Sequence, residues 1–306
     1  MLQRGIRKWD LVLLIINSII GAGIFGLPSK IFALSGVYSL LAFGACAVVV
    51  AIFILVFAEV SSRYEKTGGP YVYMMDAFGP FPAFLMGWLL LLSRLFNYAT
   101  LINLLVVYLS FFSPQFLNPF VRAVCMVVIT FLLAAINFVG IKNTTRLSNV
   151  LTVAKLAPLA LFIIVGLFFL QSKNFSSAAP PTVANFSASV LLLIFAFGGF
   201  ESVLVNAGEI KAPRQNLPFA LLTATLIVTL FYCGIQLVSI GTLPTLATSE
   251  KPLAEAAQTF MGPWGSWMII IGAFISIVGT LNVLMLSGSR MPFALSEEGQ
   301  FPKLFA

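Results

Sequence analysis

Glycine interrupts two long apolar runs of this chain at mid-length, as Gly21-Ala22-Gly23 in the first run and Gly198-Gly199 in the sixth. Glycine loses more conformational freedom in a helix than any other residue and lets another group approach the backbone. Unwinding at Gly21 to Gly23 would free amides at the positive end of the half-helix that follows, where an anion such as a carboxylate fits. Unwinding at Gly198 would free carbonyls able to accept hydrogen bonds from an ammonium group. Together the two breaks suit a zwitterion such as an α-amino acid. Glycine in membrane helices also serves close helix packing, and the residues alone leave both readings open.

Ionisable residues inside apolar runs are the second source of chemistry, because a charge at membrane depth is costly and functional by default. Lys155 lies about seven residues, or roughly 10 Å, into the fifth run. Glu201 follows the sixth-run break directly and is a candidate coupling or gating carboxylate. Arg94, near Asn97 and Tyr98 in the third run, has no assigned role. The alternatives are structural: a lysine reaching back to the interface, and a carboxylate accepting from helix-end amides. The chain contains no histidine, which excludes imidazole relays and histidine metal sites. Cys46, Cys125 and Cys233 lie in apolar runs without metal-ligand spacing and are expected to be packing residues. No metal, cofactor or enzymatic nucleophile–base set is expected.

The elements that must position these groups are membrane helices. The chain is 60% hydrophobic and 9% charged, whereas soluble domains carry about 25% charged residues. Runs of roughly 20 apolar residues match an α-helix crossing a core of about 30 Å. Eight spans are expected, near Leu11–Leu34, Leu40–Tyr64, Pro82–Phe112, Pro119–Val139, Ser148–Leu170, Ser187–Glu209, Pro218–Leu243 and Pro263–Leu295. Short interfacial helices are expected at Tyr71–Phe78 and Leu253–Met261. The formal charge of +7 is spread over loops and forms no nucleic-acid patch. With the N-terminus inside, eleven Lys and Arg residues face the cytoplasm against four outside, which also places the C-terminus in the cytoplasm.

Gly21-Ala22-Gly23-Ile24-Phe25 through Pro28 resembles the first-helix signature of the amino acid–polyamine–organocation permeases. Glu59 through Tyr64 into Thr67-Gly68-Gly69-Pro70-Tyr71 is similar to that family's stretch after helix two. Phe195 to Glu201 and Gly208 through Pro218 resemble its sixth helix and following loop, and Ser289 to Pro302 the end of its eighth. These motifs fall in family order along the whole chain.

The resemblance implies an all-α integral membrane fold of the leucine-transporter type, built from inverted five-helix repeats. Residues 1–172 would form the first repeat and 183–306 three helices of the second. It implies that a substrate carboxylate meets amides at Gly21, Ala22 and Gly23, and that its ammonium meets carbonyls of Ile19, Phe195 and Gly198. Phe195 matches an aromatic that caps the substrate, and Lys155 matches a lysine that stands in for a sodium ion. The implied activity is secondary transport of amino acids or related amines across the plasma membrane, by proton symport or exchange. The partners would be the amino acid, a proton or counter-substrate, and lipid. Members usually have about twelve helices, so a partial sequence or a shortened protein is expected. The second reading is a non-transporting accessory or sensor subunit.

Overall fold

The computed structural model describes residues 4–110, 113–139, 141–176 and 180–305. The third span's expected end at Phe112 lies outside them. Helices α1 (Lys8–Ile19), α2 (Leu27–Ser35), α3 (Ser39–Ser61), α4 (Pro70–Phe78), α5 (Pro80–Ser110) and α6 (Pro119–Val139) are followed by α7 (Ile141–Gly166), α8 (Val183–Phe197), α9 (Glu201–Leu204), α10 (Pro213–Thr242) and α11 (Pro252–Glu297). No strand occurs among the described residues; one isolated parallel bridge joins Ile6 to Ile210.

Seven of the described helices are long and apolar enough to cross a membrane, one fewer than the eight expected. The difference falls on the first span. Its break divides it into α1, of 12 residues, and α2, of 9, neither of which reaches spanning length. A single 3-10 turn at Gly36–Tyr38 then joins α2 to α3, so the two run together as one 35-residue apolar stretch. Both short helices expected between the spans are present. One is α4; the other is the start of α11, where Gly262 at φ 66° turns the chain before Pro263.

Burial follows the helical period within an otherwise apolar sequence. Ala42, Cys46, Val50, Ile54 and Ala58 recur every four residues along α3 and form the stripe that packs on α10. Leu41, Val48, Ile52, Leu55 and Val56, from the other faces of the same helix, are exposed, as lipid-facing residues must be. The core lies where α1, α7, α10 and α11 meet. Central α1 thus has partners on every side that can reach its broken backbone.

Candidate functional site

The first break begins where α1 stops. Ile20 leaves helical geometry at ψ 91°, and the next regular element is a 3-10 turn at Gly23–Phe25. Helix ends leave carbonyls and amides without intrahelical partners. On the carbonyl side, neighbouring helices supply the donors. Lys155, fully buried on α7, gives its Nζ to Asn17 O at 2.9 Å and to Ile20 O. Ser276 Oγ on α11 lies 3.1 Å from both Ile20 O and Gly21 O, and Thr280 Oγ1 lies 3.3 Å from Asn17 O. On the amide side the break is open. Gly21 N donates to Ile19 O at 2.9 Å, whereas the amides of Ala22 and Gly23 make no hydrogen bond among the described residues.

The second break separates α8 from α9. Gly198 is extended, its amide donates to Phe195 O at 3.2 Å, and Gly199 has φ 113°. A Cβ on Gly199 would stand 2.5 Å from Ser18 O, so both the conformation and the approach of α1 require glycine. Ser18 Oγ donates to Gly199 O at 2.6 Å, which ties the two breaks at one depth. Tyr232 of α10 adds a second tie: its buried hydroxyl lies 3.3 Å from Ile19 O and 3.2 Å from Ala196 O. One hydroxyl proton is thereby shared between a carbonyl of each broken segment.

The structure therefore brings together Ile19, Gly21, Ala22, Gly23, Gly198, Lys155 and the backbone of Phe195. The side chain of Phe195 is not part of this group: it is 82% exposed, while Phe197 is buried and edge-on to Tyr232 at 5.0 Å. Glu201 Oε2 accepts from Gly199 N at 2.8 Å, acting within the break as a partner for a helix-start amide. Arg94 is buried and donates from Nη1 to Ser287 O at 3.0 Å, while its Nη2 has no partner among the described residues. The hydroxyls of Ser18, Tyr232, Ser276 and Thr280 carried no mark in the sequence, because serine, threonine and tyrosine are ordinary in membrane helices. Beyond the first break, a cavity of ≈ 210 Å³ is lined by Phe25, Gly26, Glu250, Lys251, Ile269 and Ala273, among others.

The end of the bundle that carries the N-terminus is closed by charge and backbone pairing. Ile6 N donates to Glu209 O at 3.1 Å, and Lys211 N to Ile6 O at 3.0 Å. Glu209, 2% exposed, receives Arg290 of α11 through Nη2 at 2.6 Å and Nε at 3.2 Å. Glu65 bridges Arg4 at 2.8 Å and Arg214 at 3.1 Å, and the Arg4 hydrogen bond holds its carboxyl below the usual range. The pair at 2.8 Å between Glu59 and Arg63 is about 70% exposed on both sides, so it is a surface pair of little energetic weight.

The amino acid permease family model matches residues 6–306. A methylthioribose transporter of Bacillus subtilis (strain 168) is 29% identical, covering 100% of this chain and 70% of that protein. The serine/threonine exchanger SteT of the same organism is 30% identical, over 94% of this chain and 67% of the exchanger. The crystal structure of MhsT in complex with L-phenylalanine superposes with a TM-score of 0.63 at 15% identity, covering 97% of this chain and 75% of that one. At that identity the likeness speaks to the fold, and the leucine-transporter-like class stands.

Proposed function

The chain belongs to the amino acid permease family, and from that premise we propose that it is a secondary transporter of an α-amino acid or related amine, working by alternating access around its two helix breaks. The observation that carries this reading is the Ser18–Gly199 contact, which holds a segment with two amides that make no hydrogen bond among the described residues beside the second helix break. The substrate carboxylate would take the amides of Ala22 and Gly23, with Gly21 joining once its bond to Ile19 O is released. The ammonium would take carbonyls of Ile19, Phe195 and Gly198. The cavity beside Phe25 and Gly26 would be the approach from the far side of the membrane.

Proton symport or exchange is the favoured driving mode. Lys155 directs its Nζ at the carbonyls of Asn17 and Ile20 at the end of α1, which supports the reading, implied by the family resemblance, that its ammonium would stand in for a sodium ion. Glu201 would gate the second break through its bond to Gly199. The proposed setting is the cytoplasmic membrane with both ends of the chain in the cytoplasm, and the two repeats divide at residues 1–172 and 183–306. Uptake of a panel of labelled amino acids into proteoliposomes, with and without a pH gradient, tests this. Absence of saturable uptake by the complete gene product refutes it, and binding without uptake would favour the sensor reading. Lys155→Ala is expected to bind substrate but lose pH dependence; unchanged pH-dependent uptake would remove lysine from the coupling step.

A further inference from the structure

One face of α7 carries a ladder of buried hydroxyls ending at Lys155. Thr144, Thr145, Ser148 and Thr152 share that face with the lysine, and all are 5% exposed or less. Val150, Val153, Leu161 and Ile164 cover the outward faces of the same helix. Hydroxyls in membrane helices often bond the carbonyl one turn back, as Thr152 does to Ser148 O at 2.7 Å. That habit explains one bond of the ladder; Thr144 Oγ1 leads to Ile136 O of α6 at 3.4 Å, and the bonds from Ser148 onward lead off α7 onto α1. Thr152 Oγ1 also reaches Leu13 O at 3.2 Å, Ser148 Oγ receives Asn17 Nδ2 at 2.7 Å, and Asn149 Nδ2 donates to Asp10 Oδ1 at 2.7 Å. A polar seam thus runs between α1 and α7, from Asp10 near the start of α1 to Asn17, whose carbonyl holds Lys155.

Two buried atoms along this seam, Asn149 Oδ1 and Asn17 Oδ1, have no hydrogen-bond partner among the described residues, and neither does Thr145 Oγ1, one turn before Asn149 on α7. Buried polar atoms are almost always paired, and where protein supplies nothing, water is the usual partner. From Asn149 to Lys155 is six residues, a rise of about 9 Å, which a few waters and the intervening hydroxyls bridge.

We propose that the α1–α7 seam is the proton route between Lys155 and the cytoplasmic face, with Asp10 as the group at its mouth. The Lys155 ammonium gives a proton to seam water, an N–H bond breaking as an O–H bond forms, and the proton passes along the hydroxyls to the Asp10 carboxylate and then to bulk. Lys155 is left as the neutral amine, and the reverse transfer reloads it. Around the α1 carbonyls that hold the lysine, α11 presents the neutral hydroxyls of Ser276 and Thr280 and α10 presents Tyr232, while Glu201 of α9 is engaged by Gly199 N at the second break. Asp10 is therefore the carboxylate connected to the lysine through the seam.

This inference rests on the coupling role proposed for Lys155, and two measurements keep the two separable. The first uses cysteine accessibility in a folded background lacking Cys46, Cys125 and Cys233. Ser148→Cys and Thr152→Cys are expected to react with a charged, membrane-impermeant thiosulfonate from the cytoplasmic side at least about tenfold faster than Val153→Cys on the outward face, since only hydrated thiols form the reactive thiolate. Equal or slower reaction overturns a water-filled seam. The second is uptake driven by a pH gradient. Asp10→Asn, which still accepts from the Arg7 amide, is expected to slow it by about 100-fold or more, the loss of a positioned proton carrier, while equilibrium amino acid binding is unchanged; Thr152→Val should also slow it, and Thr152→Ser should restore it. Unaltered pH-driven uptake in Asp10→Asn refutes the route and leaves Lys155 coupling intact. Wild-type uptake indifferent to pH refutes the coupling itself.

Discussion

A methyl group at position 23 separates a binding site from a packing device. Gly23 lies at the open side of the first break, exposed, with negative φ, and a Cβ built there meets nothing within 4 Å. Gly23→Ala therefore introduces no clash, and by restricting the unfolded chain it is expected to leave stability unchanged or raise it by about 0.4–1 kcal/mol. If the space is where a carboxylate meets the Ala22 and Gly23 amides, the methyl displaces that group. Hydrogen bonds to a charged partner contribute about 1.5–3 kcal/mol, and 1.4 kcal/mol is tenfold in affinity, so the loss is about 10- to 100-fold. The assay is concentration-dependent uptake in proteoliposomes alongside thermal unfolding in detergent. Gly44→Ala on the lipid-facing side of α3, where a Cβ also meets nothing, is the control and should be neutral in both. Unchanged apparent affinity in Gly23→Ala, with normal folding, would show that no substrate carboxylate reaches these amides.

Gly199→Ala should behave oppositely. Its φ of 113° and the 2.5 Å approach of Ser18 O leave no room for a side chain, so a destabilisation of more than about 3 kcal/mol is expected in thermal unfolding; wild-type stability would mean the two breaks do not touch. Tyr232→Phe removes one hydroxyl shared between Ile19 O and Ala196 O, and the expected cost is about 1–3 kcal/mol with slowed uptake. Uptake at the wild-type rate would show that the tie is incidental. Glu209→Gln leaves Arg290 without its carboxylate in a largely buried setting, with an expected loss of about 3–5 kcal/mol. Arg290→Lys should lose part of that, because an ammonium cannot reproduce the two-pronged contact, and equal melting temperatures for all three proteins would count against a buried latch.

Part of this arrangement was legible in the sequence. Glycine clusters within apolar runs and a lysine within one drew attention to Gly21 to Gly23, Gly198, Gly199 and Lys155, but glycine alone does not separate a break from a packing contact: Gly44, Gly234 and Gly279 lie in apolar runs that stay helical through them. The side of a helix a residue faces was not legible when the helix is apolar all round. Phe195 and Phe197 are two positions apart and thus point to nearly opposite sides; the pattern offered nothing to show that Phe197 is the buried one. The span count failed for a related reason, since hydropathy reads α1 and α2 as one run and is blind to the geometry between them. Asn17, Ser18, Tyr232, Ser276 and Thr280 were invisible because a single polar group has meaning in a membrane helix only once its partner, often more than 100 residues away, is known.

Those long separations bear on how the protein is made. The carbonyls at the end of α1 find donors on α7, α10 and α11, and Ile6 pairs with the loop before α10. Ile6 and Ile210 are 204 positions apart, so at about 5–20 residues per second the first must wait roughly 10–40 s for the second to leave the ribosome. An open backbone has no place in lipid during that interval. The segment from Lys8 to Ser35 must therefore enter the bilayer as continuous helix or remain sheltered from it, and its break is created last, when the helices that fill it have arrived.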